Sequence, residues 1–255
     1  VTVPAHRSQD GTRDIPPLPG KINAAYAFGG APLLIQTLEE KTNLQIDHYI
    51  EVSFAGFTGI VDALGGIEVC SKVPIDDPKS HLVLAAGTHT LNGIEALKYV
   101  RTRDFDGRGD IGRMERQQQF VGAVLRKATS SGVLLNPIKL TNFYNAAISS
   151  VKMDAGVTKN DLLTLAKQLR NLSSGNVRTL TVPISNPNGR HPTAGSVVIW
   201  DEVLAANLWT KIRNDEALLE TVKPTASASA KPVTIDKFKT KTAADNPCAA
   251  IDSRA

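Results

Sequence analysis

Between residues 48 and 99 the hydrophobic period of the chain switches repeatedly, and that switching confines it to a domain of mixed helices and strands. His48-Tyr49-Ile50-Glu51-Val52-Ser53 alternates as a strand does. Phe54 to Leu64 reads as a short helix stopped by Gly65-Gly66, after which Ile67-Glu68-Val69-Cys70 is again a strand. Leu82-Val83-Leu84 and Thr88-His89-Thr90 bracket Ala86-Gly87 and predict a hairpin between them. Asn92 then caps a helix running to about Tyr99.

The same reading extends in both directions. Residues 1–20, with Asp10-Gly11 and Pro16-Pro17-Leu18-Pro19-Gly20, are rich in turn formers and predict a surface loop. A helix is expected from Pro32 to near Asn43, because Leu33, Leu34, Thr37 and Leu38 recur at helical spacing. Phe120, Val121, Val124, Leu125 and Ala128 define the apolar face of a helix from about Gly112 to Ser130-Ser131-Gly132. Further helices are expected over 136–150 and 158–172, the second opened by Thr158 with Asp161 at the capping-box position. Residues 177–184 and 196–200 predict a closing pair of strands, and Asp201 caps a last helix to Arg213. The expected organisation is one domain over 1–215, a small-residue linker over 216–231 and a polar tail over 232–255 containing Cys248.

Composition narrows the function. With 255 residues, 42% of them hydrophobic, the chain can bury a substantial core. Its net charge of +4 is modest, and no zinc-finger spacing, aromatic-basic motif or long basic helix accompanies it, so a nucleic-acid partner is not expected. No stretch reaches the ~18 consecutive apolar residues of a membrane span, and no signal peptide opens the chain. Val1-Thr2-Val3-Pro4 reads as the tail of a strand entered mid-pattern, so a segment upstream of Val1 is expected. Cys70 and Cys248 exclude a structural zinc site and a CxxC pair, leaving either one long-range disulfide or two unrelated thiols.

The chemistry concentrates between Tyr99 and Phe120, where Arg101, Arg103, Arg108, Arg113 and Arg116 are interleaved with Asp104, Asp106, Asp110 and Glu115. In extended backbone Arg101 and Arg103 would point to one side, and on the following helix Arg113 and Gln117 lie one turn apart. A helix N-terminus adds free amide donors and partial positive charge, so the unit can gather several guanidinium forks around one anion. Arginine binds phosphate oxygens bidentately, and so many forks suit a diphosphate better than a single phosphate. The alternative is a solvated loop in which Asp110 caps the helix and pairs with Arg113. Lys21 follows a proline-rich loop and is most simply exposed. The five histidines show no ligand spacing or nucleophile pattern, and Asp76-Asp77-Pro78 reads as a turn.

Three stretches carry a family resemblance: Lys21-Ile22-Asn23-Ala24-Ala25-Tyr26, the run Val61-Asp62-Ala63-Leu64-Gly65-Gly66-Ile67-Glu68-Val69, and the arginine segment ending Arg113-Met114-Glu115-Arg116-Gln117-Gln118-Gln119. On these the chain resembles the LytR-CpsA-Psr family of bacterial cell-envelope enzymes from Val1 to about Arg213. The tail with Thr242-Ala243-Ala244-Asp245-Asn246-Pro247-Cys248 is similar to the actinobacterial branch. The implied fold is α/β, a three-layer α/β/α sandwich with a central mixed sheet, lacking its N-terminal part here.

The implied activity is a magnesium-dependent phosphotransferase that moves a glycopolymer from a polyprenyl pyrophosphate carrier onto peptidoglycan, at the outer face of the cytoplasmic membrane. The resemblance assigns Arg101, Arg103 and Arg113 to the reacting pyrophosphate, with Lys21, Asp110, Arg116 and Gln117 as substrate-binding positions. It places the metal-binding aspartates, an arginine, the first strands and an N-terminal membrane helix upstream of Val1. A non-catalytic envelope protein that binds lipid-linked or anionic glycans, or a polyprenyl pyrophosphate hydrolase, are the alternatives. An extracytoplasmic compartment also favours a Cys70–Cys248 disulfide.

Overall fold

A computed structural model of the chain describes residues 1–130, 151–158, 160, 161, 164, 177–222, 233–236, 238, 240–242 and 248. In chain order the elements are β1 (Thr2–Val3), β2 (His6–Arg7), β3 (Asp14–Ile15), β4 (Leu18–Pro19), α1 (Ile22–Thr42), β5 (Ile50–Val52), α2 (Phe54–Ala63), β6 (Ile67–Ser71) and β7 (Ile75–Asp77). They continue with β8 (Leu82–Leu84), β9 (Gly87–Leu91), α3 (Gly93–Arg101), α4 (Gly109–Ser130), β10 (Val151–Met153), β11 (Arg178–Thr179) and β12 (Ile184–His191). The last are β13 (Gly195–Trp200), α5 (Glu202–Arg213), β14 (Glu220–Val222), β15 (Val233–Ile235) and β16 (Lys241–Thr242). Helices and strands alternate as an α/β fold requires, and the described strands are joined as antiparallel pairs.

The chain forms two compact units, each assembled from two stretches: Val1–Tyr49 with Thr181–Lys239, and Ile50–Leu180 with Thr240–Ala255. The division differs from the sequence boundaries at 215 and 231. Part of the expected linker, Glu220–Val222, pairs with Val233–Ile235 of the expected tail. Composition reports what a segment cannot bury, whereas strand pairing depends on a partner far along the chain.

In the first unit the expected N-terminal loop is instead pinned into short ladders, β1 with β4 and β2 with β3. Val3 is fully buried there with Ala25 and Leu33. α1 begins ten residues before the helix start expected at Pro32, because its two segments meet at a kink where Gly30 takes φ 65°. That left-handed angle suits glycine, and Pro32 follows in the first turn of the second segment. Arg213 of α5 donates to the carbonyls of Asn43 (2.9 Å) and Thr42 (3.2 Å), covering acceptors at the C-terminus of α1.

The second unit holds the arginine segment. Its core unites Val61, Leu64, Ile67, Leu91, Ala96, Tyr99, Phe120 and Ala123. β6 alternates buried and exposed positions and pairs with β9 from Ile67↔Leu91 to Ser71↔Gly87. The expected hairpin across Ala86-Gly87 is therefore not formed: Leu82–Leu84 belongs to a separate ladder with Ile75–Asp77. The apolar residues Ile75 and Leu82 are both buried, so core placement overrides the local turn signal.

α3 has the expected cap, a reciprocal box in which Asn92 and Glu95 each accept the other's backbone N–H. Gly93 lets α3 approach α2, since a Cβ there would stand 2.4 Å from the Thr58 carbonyl oxygen. Phe57 of α2 meets Phe120 of α4 at 5.2 Å between ring centroids. The Thr158–Asp161 capping pair is also present, with both reciprocal bonds. The helix expected over 136–150, and most of the one over 158–172, lie outside the described residues. Residues 177–184 form no single strand: Arg178–Thr179 pairs with Lys241–Thr242, while Ile184–His191 pairs with Gly195–Trp200.

Candidate functional site

Arg101 is the last residue of α3, not part of an extended run with Arg103. Thr102 ends the helix with φ −58° and ψ 142°, and α4 starts at Gly109. The intervening loop decides where each guanidinium goes. The expected common side for Arg101 and Arg103 does not arise, because α3 extends past Tyr99 and includes Arg101, so the two residues are not in one extended run.

Arg103, Asp110 and Arg113 form one knot at the first turn of α4. Arg103 Nε donates to Asp110 Oδ1 at 2.7 Å, and its Nη2 donates to the same oxygen. Arg113 Nη2 reaches that oxygen at 2.9 Å. One carboxylate thus holds two guanidiniums side by side and leaves a surplus positive charge. Burial pushes the Arg113 pKa down from its usual value, and nearby Arg103 and Arg116 add to the effect while Asp110 opposes it. A guanidinium nevertheless stays charged at any physiological pH. Two like charges held together at a helix N-terminus favour an incoming anion.

Gln117 lies one turn beyond Arg113 and donates its amide to the Val100 carbonyl at 3.1 Å, tying α4 to α3. Its amide oxygen remains an acceptor. The Arg101 guanidinium lies 5.4 Å from the centre of the Phe54 ring and has no carboxylate partner among the described residues. Lys21 is the residue before α1, is exposed and makes no capping bond; it belongs to the first unit, whereas the knot belongs to the second.

Arg116 differs from the role expected of it. It is 4% exposed, and its Nη1 binds Asp106 Oδ2 at 2.9 Å while Nη2 donates to the Thr102 carbonyl at 2.7 Å. Its guanidinium also lies 4.6 Å from the centre of the Phe105 ring. Both terminal nitrogens are turned inward, so Arg116 supports the loop and does not present a fork to a ligand. Spacing alone could not separate it from Arg113, because residues three apart share a helix face, and only the partners that converge on each side chain decide which one is buried.

Sequence reasoning missed the partners that make this support. Asp106 accepts from Arg116 and from Arg108, and although burial opposes its charge, the Arg108 backbone N–H and the two guanidiniums hold its pKa below the ordinary carboxylate value. Arg108 also pairs with Glu115 at 2.7 Å. Asp77, read as a turn residue, accepts from the backbone N–H groups of Arg103 and Asp104. Gly112 was the available signal: a Cβ there would lie 2.9 Å from Asp106 Oδ2 and 3.1 Å from Arg116 Nη1.

Cys70 and Cys248 form a disulfide with Cα atoms 5.6 Å apart, joining the tail to β6. Tyr99 donates to the Cys70 carbonyl at 3.3 Å, and its burial pushes the phenol pKa up to about 12.

The described residues do not fit a magnesium site. Among the described residues no three His, Cys, Asp or Glu side chains gather as metal ligands. Asp77, Asp104, Asp106 and Asp110 are each engaged by backbone N–H groups or by cations. No described helix is long and apolar enough to cross a membrane.

The sequence profile of the LytR_cpsA_psr family matches residues 10–214, a span that includes the whole arginine knot. A probable cell wall biosynthesis protein, LcpB of Corynebacterium glutamicum, is 40% identical over 193 residues, covering 76% of this chain and 45% of LcpB. The polyisoprenyl-teichoic acid–peptidoglycan teichoic acid transferase TagU of Bacillus cereus is 36% identical over 153 residues, 59% of this chain and 47% of TagU. The chain thus spans less than half the length of these curated relatives. The crystal structure of TagV from B. subtilis superposes with a TM-score of 0.65 at 25% identity, covering 85% of this chain and 82% of TagV. The α/β fold expected from the sequence is shared with that structure. With the family profile spanning both the capped helices and the arginine segment, the chain belongs to the LytR_cpsA_psr family.

Proposed function

We propose that the chain is the pyrophosphate-binding part of an enzyme that transfers a glycopolymer from a polyprenyl pyrophosphate carrier to peptidoglycan, in the cell envelope at the outer face of the cytoplasmic membrane. The observation that carries the reading is the shared Asp110 oxygen, which sets Arg103 and Arg113 together at the start of α4. The transferase named among the relatives supports it.

In this reading Asp110 occupies one edge of each guanidinium and leaves the remaining N–H groups for phosphate oxygens. Arg113 retains Nε and Nη1, and Arg103 retains Nη1. An acceptor hydroxyl bonds to the phosphorus that carries the glycopolymer, the bridging P–O bond breaks, and polyprenyl phosphate departs with the electron pair and the proton. The arginines stabilise charge that grows on the bridging and departing oxygens, in a geometry set before the reaction begins. Arg101 supplies a further cation beside the exposed Phe54 ring, and Gln117 is assigned to orienting oxygens. Magnesium, which the resemblance implies, finds no ligand set among the described residues.

The test is transfer of a labelled lipid-linked glycopolymer to peptidoglycan by the full-length protein. Removing one preorganised donor by Arg103→Ala is expected to lower the rate about a hundredfold or more. Unchanged transfer by Arg103→Ala and by Arg113→Ala would overturn the assignment.

A further inference from the structure

We infer that Asp77 is a positioning residue for the proposed phosphate site, holding the backbone of Arg103 so that its guanidinium meets Asp110. The inference rests on the reading of the arginine knot given above. Asp77 is 2% exposed and its two carboxylate oxygens serve different segments. Oδ1 accepts the N–H groups of Lys79 (2.9 Å) and Ser80 (3.0 Å), which closes the turn between β7 and β8. Oδ2 accepts the N–H groups of Arg103 (2.6 Å) and Asp104 (3.1 Å), 26 and 27 residues further along.

A turn needs the first oxygen alone. The second exists for the loop between α3 and α4. Thr102 ends α3 and α4 starts at Gly109, so the N–H groups of Arg103 and Asp104 have no helical acceptor and this carboxylate satisfies them. Immediately before them, the carbonyl of the fully buried Thr102 accepts from Arg116. The Arg103 backbone is therefore held on both sides, by a buried anion and by a buried cation. Lys79 Nζ on Asp104 at 2.8 Å adds a surface tie between the same turn and loop. A side chain of arginine's length magnifies any shift of its Cα, so loosening this backbone displaces the guanidinium from the position shared with Arg113.

The experiment measures binding of inorganic pyrophosphate to the full-length protein by titration calorimetry, alongside thermal unfolding. Asp77→Asn keeps the size but turns an NH2 toward one pair of donors. Asp77→Ser keeps a hydroxyl acceptor for the turn and cannot reach the loop. Both are expected to weaken pyrophosphate binding about tenfold, well below the unfolding temperature. In an Arg103→Ala background neither adds a further loss, since Asp77 acts through Arg103.

Unchanged affinity, losses that add to that of Arg103→Ala, or failure of both variants to fold would overturn the inference. The underlying reading fails by a different measurement, namely Arg103→Ala binding pyrophosphate as tightly as the unaltered protein.

Discussion

Arg116→Ala should unfold the site's support while leaving no direct ligand contact to lose, and the structure sets the size of the effect. The Arg116 and Asp106 side chains are 5% and 9% exposed, and the substitution removes the Asp106 contact, the bond to the Thr102 carbonyl and the stacking on Phe105. Two charge-assisted hydrogen bonds contribute about 1.5–3 kcal/mol each, and the cation–π contact about 1 kcal/mol. Against this stands the cost of keeping a guanidinium out of water, raised here because Arg116 Nε is buried with no acceptor among the described residues. Asp106 is not fully orphaned, since Arg108 still contacts it at 3.1 Å.

Breaking a buried pair costs about 3–5 kcal/mol, and these offsets place the expected loss near the lower end, about 3 kcal/mol. For a chain of this length that lowers Tm by about 6–12 °C in a thermal melt with the disulfide intact. Arg116→Lys, which keeps the charge but reaches one acceptor, should lose about half as much. A melt within about 2 °C of the unaltered protein, together with loss of pyrophosphate binding, would refute the reasoning and return Arg116 to the ligand.

The disulfide closes a loop of 178 residues between Cys70 and Cys248, so Cys70→Ser or reduction should destabilise the second unit by about 2–5 kcal/mol. Thiol titration of the unreduced protein should find no free sulfhydryl, and two would contradict the pairing. The acid limb of stability should carry a contribution from Asp77. Burial alone would raise its pKa, but the N–H groups of Arg103, Ser80, Asp104 and Lys79 prevail and lower it from 3.8 to about 2. A depressed carboxylate stabilises the fold above its unfolded pKa and loses that contribution as pH falls from about 4 toward 2. The shift corresponds to at most ~2.5 kcal/mol. Denaturant titrations at pH 5 and pH 2.5 should show that part of the acid loss disappear in Asp77→Asn.

Much of the local structure was written in short-range chemistry. Asn92 with Glu95, Thr158 with Asp161, and Asp201 each cap where their spacing said they would, because a cap needs no partner beyond the next turn. The strand of β6 and the helix of α2 likewise follow from period and from Gly65-Gly66. The pairing of strands did not follow: Leu82–Leu84 turns to Ile75–Asp77, and Arg178–Thr179 to Lys241–Thr242, because register answers to which faces the core buries.

The arginine segment divides along the same line. Its sequence determined that a cationic cluster with a helix N-terminus would exist, since charge and helical spacing are properties of neighbours. Only the tertiary structure decided which arginines face outward. Arg103 and Arg113 share Asp110 at the rim, while Arg116 turns into the core against Asp106 and Thr102. The reason is that burial of a charge is settled by the partners that converge on it, and those partners, Asp77 among them, arrive from elsewhere in the chain.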